Sequence, residues 1–210
     1  IIDRINKINK KVSNPIGILL DTQGPEIRTG DTSSVVHLEP GEKVSFTIRD
    51  EIDVETTSIR VHYDELINSV KVGSLITLDN GLLNFKVLAK TKNELECIVL
   101  DGGKLGSKRH VNLPGIRINL PSVTEKDKKD IIFGLKENVD FIALSFVRDA
   151  SDIDDLKSVL KNNTSQVKII SKIEDREGLS NIEEICKVSD AVMVARGDLG
   201  IETDLSNLPN

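Results

Sequence analysis

The sequence predicts an α/β protein in which an all-β segment interrupts a β/α series, and three observations carry that reading. From about Asn119 onward, apolar strand-like runs alternate with amphipathic helical stretches, the βαβαβ rhythm of a parallel sheet. Between about Thr29 and Ile118, short β-rich stretches (VVHL, KVSFTI, LITL, LNFKVL, LECIVL) follow one another with turn residues between them, as in a small barrel or sandwich. Aromatics are only 3 % and Trp is absent, so the core must be built from Ile, Leu and Val, as in the buried strands of parallel sheets. The simplest arrangement loops a β domain out of a β/α barrel or open sheet and divides the chain into residues 1–28, 29–118 and 119–210.

Taken in order, Ile1, Ile2, Ile5 and Ile8 fall at helical spacing among charged residues, and the apolar run Ile16–Leu20 then reads as a strand ending in Asp21. In the middle segment Val44, Phe46 and Ile48 alternate with polar residues, the pattern of a half-buried strand. Asp79-Asn80-Gly81 between two such runs is a hairpin signal, because Asn and Gly tolerate the positive φ that tight hairpin turns require. In the last segment a helix is expected over Thr124–Asn138, capped by Ser122 with Glu125 three residues on. Strand Phe141–Phe146, helix Ser151–Asn162 and strand Val167–Ile173 follow. Helix Asn181–Lys187, with Ser180 and Glu183 as a second capping box, then leads to strand Ala191–Val194.

Composition narrows the function classes. With 28 basic and 34 acidic residues the net charge is −6, which argues against a general nucleic-acid binder and leaves small anionic ligands open. No apolar run is long enough to span a membrane, and the polar start does not read as a signal peptide, so a cytoplasmic location is expected. Cys97 and Cys186 each stand alone and read as reduced thiols. The sequons at Asn162 and Asn163 carry no weight in a chain that is not secreted. The helix-like start without Met and the abrupt Leu208-Pro209-Asn210 suggest that both ends are cut and that the chain is a central fragment.

Each apolar strand ends in polar groups: Asp21-Thr22, Ser145 to Arg148, Lys172 with Glu174, and Arg196-Gly197-Asp198. Charged residues at the C-terminal ends of several strands are what a β/α enzyme places there, although any single one also fits a solvated loop. Lys172 and Glu174, two apart on one strand, project from the same side, and a structural ion pair accounts for them at the least. The sharper reading makes Glu174 and Asp198 oxygen ligands of a hard cation such as Mg²⁺, with Lys172 stabilising developing negative charge.

The motifs are specific enough to name a family. Leu20-Asp21-Thr22-Gln23-Gly24-Pro25-Glu26-Ile27-Arg28-Thr29-Gly30 closely resembles the signature that leads into the inserted domain of pyruvate kinases, and Ser107-Lys108-Arg109-His110-Val111-Asn112-Leu113-Pro114-Gly115 resembles the return from it. Ile170–Glu174 and Val192–Gly200 resemble the catalytic and metal-binding strands of the same family, in register over nearly the whole chain. The resemblance implies a partial TIM-type β/α barrel, interrupted after its third strand by a β-barrel lid domain. It implies glycolytic phosphoryl transfer from phosphoenolpyruvate to ADP. It also implies Glu174 and Asp198 on Mg²⁺ or Mn²⁺, and Asp21 with the Thr22 carbonyl on K⁺. Lys172 and Arg28 would be the catalytic cations. Arg28 and Arg109 would meet the nucleotide, and Gly197, Asp198 and Ser145 the substrate. Glu26 is the family's mark of K⁺ dependence, and a whole member is expected to be a homotetramer.

Some residues depart from the family pattern or point elsewhere. Arg109-His110 stands where many members have Lys-Gly, Gln23 replaces a common Lys, and Ile201–Asp204 matches poorly. The upstream Asn-Phe-Ser-His-Gly segment, later barrel strands and C-terminal domain of the family lie outside this sequence, so the chain alone is expected to be inactive. Arg196-Gly197-Asp198 spells an adhesion tripeptide in a chain with no secretion signal. Asp101–Ser107 is Gly-rich but lacks P-loop spacing and reads as a turn. His37, His62 and His110 are scattered, and the run Lys126–Asp130 reads as a solvated helix face. Two rival readings are a metal-dependent aldolase or lyase on a phosphoenolpyruvate-type barrel and a non-catalytic fragment or pseudoenzyme module.

Overall fold

Parallel pairing organises one of the two units into which the computed structural model divides. That unit holds residues 1–25 and 120–196, and the other holds residues 26–119 with the described residues from 197 onward. Residues 1–48, 57–161 and 166–203 are described. The two asparagine sequons and the chain's last residues from Asp204 lie outside them.

In the first unit, helix α1 (Ile2–Asn9) precedes strand β1 (Leu19–Asp21). Helix α3 (Glu125–Lys136), strand β11 (Phe141–Leu144), helix α4 (Ala150–Leu160), strand β12 (Lys168–Ile173), helices α5 (Arg176–Ser180) and α6 (Ile182–Val188), and strand β13 (Ala191–Val194) follow after residue 119. The strands form one parallel sheet in the order β1-β11-β12-β13. Helices alternate with the strands because each crossover must return the chain to the same sheet end. Ile131, Ile142, Leu144, Val147, Ile153, Leu156, Ile169, Ile173 and Ile185 make its core, aliphatic throughout.

Several boundaries differ from the sequence expectation for identifiable reasons. The Ile16–Leu20 run joins the sheet only from Leu19, because the Ile16 backbone is held by the Asn9 side chain (2.8 and 2.9 Å). Thr124, not Ser122, caps α3: its hydroxyl accepts from the Asp127 N–H, while Ser122 instead donates to Asp155 (2.8 Å). Helix α6 has no Ser180 cap, since Ser180 belongs to α5 and donates to the Arg176 carbonyl. Strand β11 stops at Leu144, two residues early, because Phe146 adopts a left-handed φ of 54°.

The second unit contains β2 (Ile27–Arg28), β3 (Val36–Leu38), β4 (Lys43–Thr47), β5 (Thr57–Arg60), helix α2 (Leu66–Ser69), β6 (Leu75–Leu78), β7 (Leu83–Lys90), β8 (Glu94–Asp101), β9 (Gly103–Leu105), β10 (His110–Asn112) and, from its second residue on, helix α7 (Arg196–Glu202). Its main sheet runs β2-β10-β6-β7-β8-β4-β5, antiparallel except for the β4–β5 pair. An antiparallel bridge between Thr29 and Val61 ties the segments just beyond the two edge strands. The Asp79-Asn80-Gly81 turn has φ values of 53°, 58° and 81° and joins β6 to β7 as expected. The Gly-rich stretch is not all turn. Gly103–Leu105 pairs with Val36–Leu38, and a side chain on Gly102 would collide with the Leu38 carbonyl at 2.2 Å. The core centres on Phe46 and Phe85, fully buried and stacked edge to face with centroids 5.0 Å apart.

Candidate active site

Parallel strands deliver their C-terminal ends to one edge of the sheet, and in the first unit four residues from three of those ends converge. Asp21 ends β1, Ser145 follows β11, Lys172 sits in the last turn of β12, and Glu174 is just past it. The Lys172 ammonium donates to Ser145 Oγ (2.8 Å) and Asp21 Oδ1 (3.0 Å) and lies 3.3 Å from Glu174 Oε1. An ammonium has three donors, and here each faces an acceptor. The expected pairing of Lys172 with Glu174 is therefore real, but it is one side of a larger cluster.

Burial alone would lower the Lys172 pKa, but the carboxylates of Glu174 and Asp21 outweigh it and hold the ammonium above its usual range. Glu174 is only 2 % exposed and its Oε2 accepts from the Phe146 N–H (2.7 Å). The left-handed Phe146 thus aims a backbone donor at the carboxylate. Asp21 differs: its side chain is 55 % exposed and open to further ligands. Ser145 is buried. Its N–H donates to Thr22 Oγ1 (3.0 Å) and its hydroxyl to the Thr22 carbonyl (2.7 Å), which binds the ends of β1 and β11 together.

Behind this cluster lies a second, unforeseen one. Arg148 and Asp152, with side chains 11 % and 6 % exposed, pair at 3.0 Å, and Asp152 also accepts the Arg148 N–H (2.8 Å). Asp175, beside Glu174, caps α5 through the Gly178 N–H (2.7 Å), and burial pushes its carboxyl above the usual range. The run Lys126–Asp130 is only partly the solvated face expected. Lys126–Asp130 and Lys128–Glu125 are exposed ion pairs, but Asp127 is fully buried. The signal that could have found it is the capping-box position: Thr124 followed three residues later by an acid.

The other residues expected from the sequence to serve the site lie in the second unit. Arg28 grips Glu26 through both Nε (2.8 Å) and Nη2, and its Nη1 donates to the Lys108 carbonyl (2.9 Å). Arg109 reaches Asp79 Oδ1 (3.3 Å). His110, opposite Arg28 in the β2–β10 ladder, is pushed below the usual histidine value by burial. Gly197 and Asp198 lie in the first turn of α7, so the segment after β13 is helical and not a loop. Among the described residues no three His, Cys, Asp or Glu side chains form a ready metal cage. Both cysteines are free, and no described helix is long and apolar enough to cross a membrane.

The family model described as "Pyruvate kinase, barrel domain" matches residues 1–210. The chain is 46 % identical over 211 residues to the pyruvate kinase of Staphylococcus epidermidis (strain ATCC 35984), covering 99 % of this chain and 36 % of that protein. It is 47 % identical over 212 residues to the pyruvate kinase of Staphylococcus haemolyticus (strain JCSC1435), with the same two coverages. It therefore spans about a third of the length of the curated relatives it matches. On the family match and on identities at this level, the chain belongs to the pyruvate kinase family.

Proposed function

We propose that this chain carries the phosphoryl-handling part of a pyruvate kinase, which breaks the bond between phosphorus and the enol oxygen of phosphoenolpyruvate and forms one to a terminal oxygen of ADP. The observation that supports this most is Lys172, gathered with Asp21, Ser145 and Glu174 at the strand ends of a parallel sheet in a member of this family. Phosphoryl transfer asks little covalent chemistry of a protein; it is positioning and charge stabilisation. A lysine held charged by two carboxylates is suited to that, offering its ammonium to the transferring group and to the enolate oxygen. Family membership favours this reading over the aldolase or lyase one.

The other roles follow on the same basis. Glu174 and Asp198 are the pair for Mg²⁺ or Mn²⁺, and Asp21 with the Thr22 carbonyl serves K⁺. The donors suit hard cations, since all are oxygens, and two carboxylates leave the remaining positions to substrate oxygens and water. When bound, the divalent ion neutralises charge on the phosphoryl group. Arg28 meets the phosphates, Arg109 assists at the nucleotide, the N–H groups of Gly197 and Asp198 hold the substrate carboxylate, and Ser145 also serves the substrate. Residues 1–28 and 119–210 are read as parts of a TIM-type β/α barrel and residues 29–118 as a β-barrel lid, which the Thr29–Val61 bridge between the sheet's two margins supports. A cytoplasmic location and a homotetrameric whole protein complete the reading.

Mn²⁺ binding to this chain, with and without oxalate as an enolate mimic, tests it. Wild type is expected to bind, oxalate to tighten binding, and Glu174→Gln or Asp198→Asn each to weaken it by at least about tenfold, the effect of losing one charge-assisted contact. Unchanged binding by Glu174→Gln would remove the site.

A further inference from the structure

The Asp127 carboxylate has more to do than its helix requires. In a capping box the N3 side chain needs one oxygen to accept the N-cap N–H. Asp127 Oδ2 fills that role, accepting from the Thr124 N–H (3.1 Å) and hydroxyl (2.5 Å). On an ordinary helix the other oxygen would face water. Here the residue is wholly buried, and Oδ1 accepts from two backbone groups about a hundred positions earlier, Gln23 N–H (2.9 Å) and Gly24 N–H (3.3 Å).

Those donors belong to the turn that follows β1. The Gln23 N–H lies in the same peptide unit as the Thr22 carbonyl. A trans peptide directs its N–H and C=O to opposite sides, so holding one end sets the direction of the other. Asp127 holds the N–H end, and Ser145 Oγ donates to the carbonyl end at 2.7 Å. A carboxylate accepting from the N–H also draws electron density toward the carbonyl oxygen, because hydrogen bonds in series polarise one another. The turn has little freedom to find another arrangement. Gly24 has φ +74°, and a Cβ there would meet Ser145 and Phe146 at 2.9 Å.

We propose that Asp127 is a positioning residue for the Thr22 carbonyl: it orients and polarises that oxygen toward a monovalent cation. This rests on the reading of Asp21 and Thr22 as the K⁺ ligands. Asp127 touches neither cation nor substrate; it acts through one peptide plane.

The test uses this chain, with Tl⁺ as a K⁺ probe observed by thallium NMR and with amide exchange measured residue by residue. Asp127→Asn keeps the shape but can accept on one side only. Thr124→Ala weakens the same helix cap while leaving Oδ1 in place, and so reports the purely structural effect. Asp127→Asn is expected to speed exchange of the Gln23 and Gly24 amides and to weaken Tl⁺ binding, each by about tenfold, the scale of one hydrogen bond to a charged group. Thr124→Ala is expected to move neither. If the two variants behave alike, Asp127 is a helix cap and nothing more. If wild type takes up no Tl⁺, the cation reading falls, and the exchange of Gln23 and Gly24 alone decides whether Asp127 sets the peptide plane. On the unaltered chain, a scalar coupling from Gln23 nitrogen to Asp127 Cγ is expected, so the claim stands or falls even where Asp127→Asn does not fold. Its absence would overturn the proposal.

Discussion

In the β-rich unit, strands β6, β7 and β8 are sequence neighbours joined by tight connections, with Leu78 opposite Leu83 and Lys90 opposite Leu95. In the parallel unit, Leu19 faces Phe141 and every strand pair is bridged by a long crossover. The first kind of sheet is specified largely by local turn chemistry and alternation, and its centre is apolar, around Phe46 and Phe85. The second gathers strand ends from distant parts of the chain, and what it gathers is charged: Asp21, Lys172 and Glu174, backed by Arg148 and Asp152. Local pairing builds a frame cheaply. Non-local parallel pairing is what brings charges from different segments within hydrogen-bond reach.

The contrast can be broken by experiment. Phe85→Ala should cost the most, about 3–5 kcal/mol, because it empties a fully buried ring site and its edge-to-face partner. Urea unfolding followed by residue-resolved exchange should show the loss in the β-rich unit, with Lys172 and its neighbours keeping their protection. Equal loss in both units would mean that the two fold as one. Asp152→Ala is next, at about 3 kcal/mol, since it removes the carboxylate paired with the Arg148 guanidinium in a site 11 % exposed. Its effect should fall on the parallel unit and loosen the Phe146 amide. A cost below about 0.5 kcal/mol, the level of a surface pair, would mean that water screens the pair.

The smallest effect expected is a pH dependence confined to the β-rich unit. His110 has a folded pKa below its ordinary value of 6.5 because of burial, so the unfolded chain binds the proton more tightly. Stability from this group is complete above 6.5 and declines as pH falls from there toward the folded value. The urea midpoint should drop on acidification through that window, and His110→Gln should flatten the drop. A slope that Gln leaves untouched would assign the effect to other groups.

Much of the frame was legible in the residues. The alternation of Val44 and Phe46 with polar neighbours marked β4, and Asp79-Asn80-Gly81 marked the hairpin. Among the strands that escaped notice, Ile27–Arg28, Thr57–Arg60, Gly103–Leu105 and His110–Asn112 are too short or too polar to show a period, and they exist because neighbouring strands complete their hydrogen bonds. In the site, the spacing of Lys172 and Glu174 was readable because a strand's period of two puts them on one side. Asp127 was legible only as the acid three residues after Thr124, a position that marks a helix cap but says nothing of the Gln23 and Gly24 amides its other oxygen accepts from.

By itself, then, the sequence determined the α/β class, the aliphatic core of the parallel unit, the β-rich character of the middle segment and the identity of the charged residues at strand ends, since each depends on local period, turn chemistry or motif. Only the tertiary structure decided the partners of those charges. Asp21 reaches Lys172 across 151 positions and Gln23 reaches Asp127 across 104. Contacts of that kind are set by the packing of whole elements, and no local pattern encodes them.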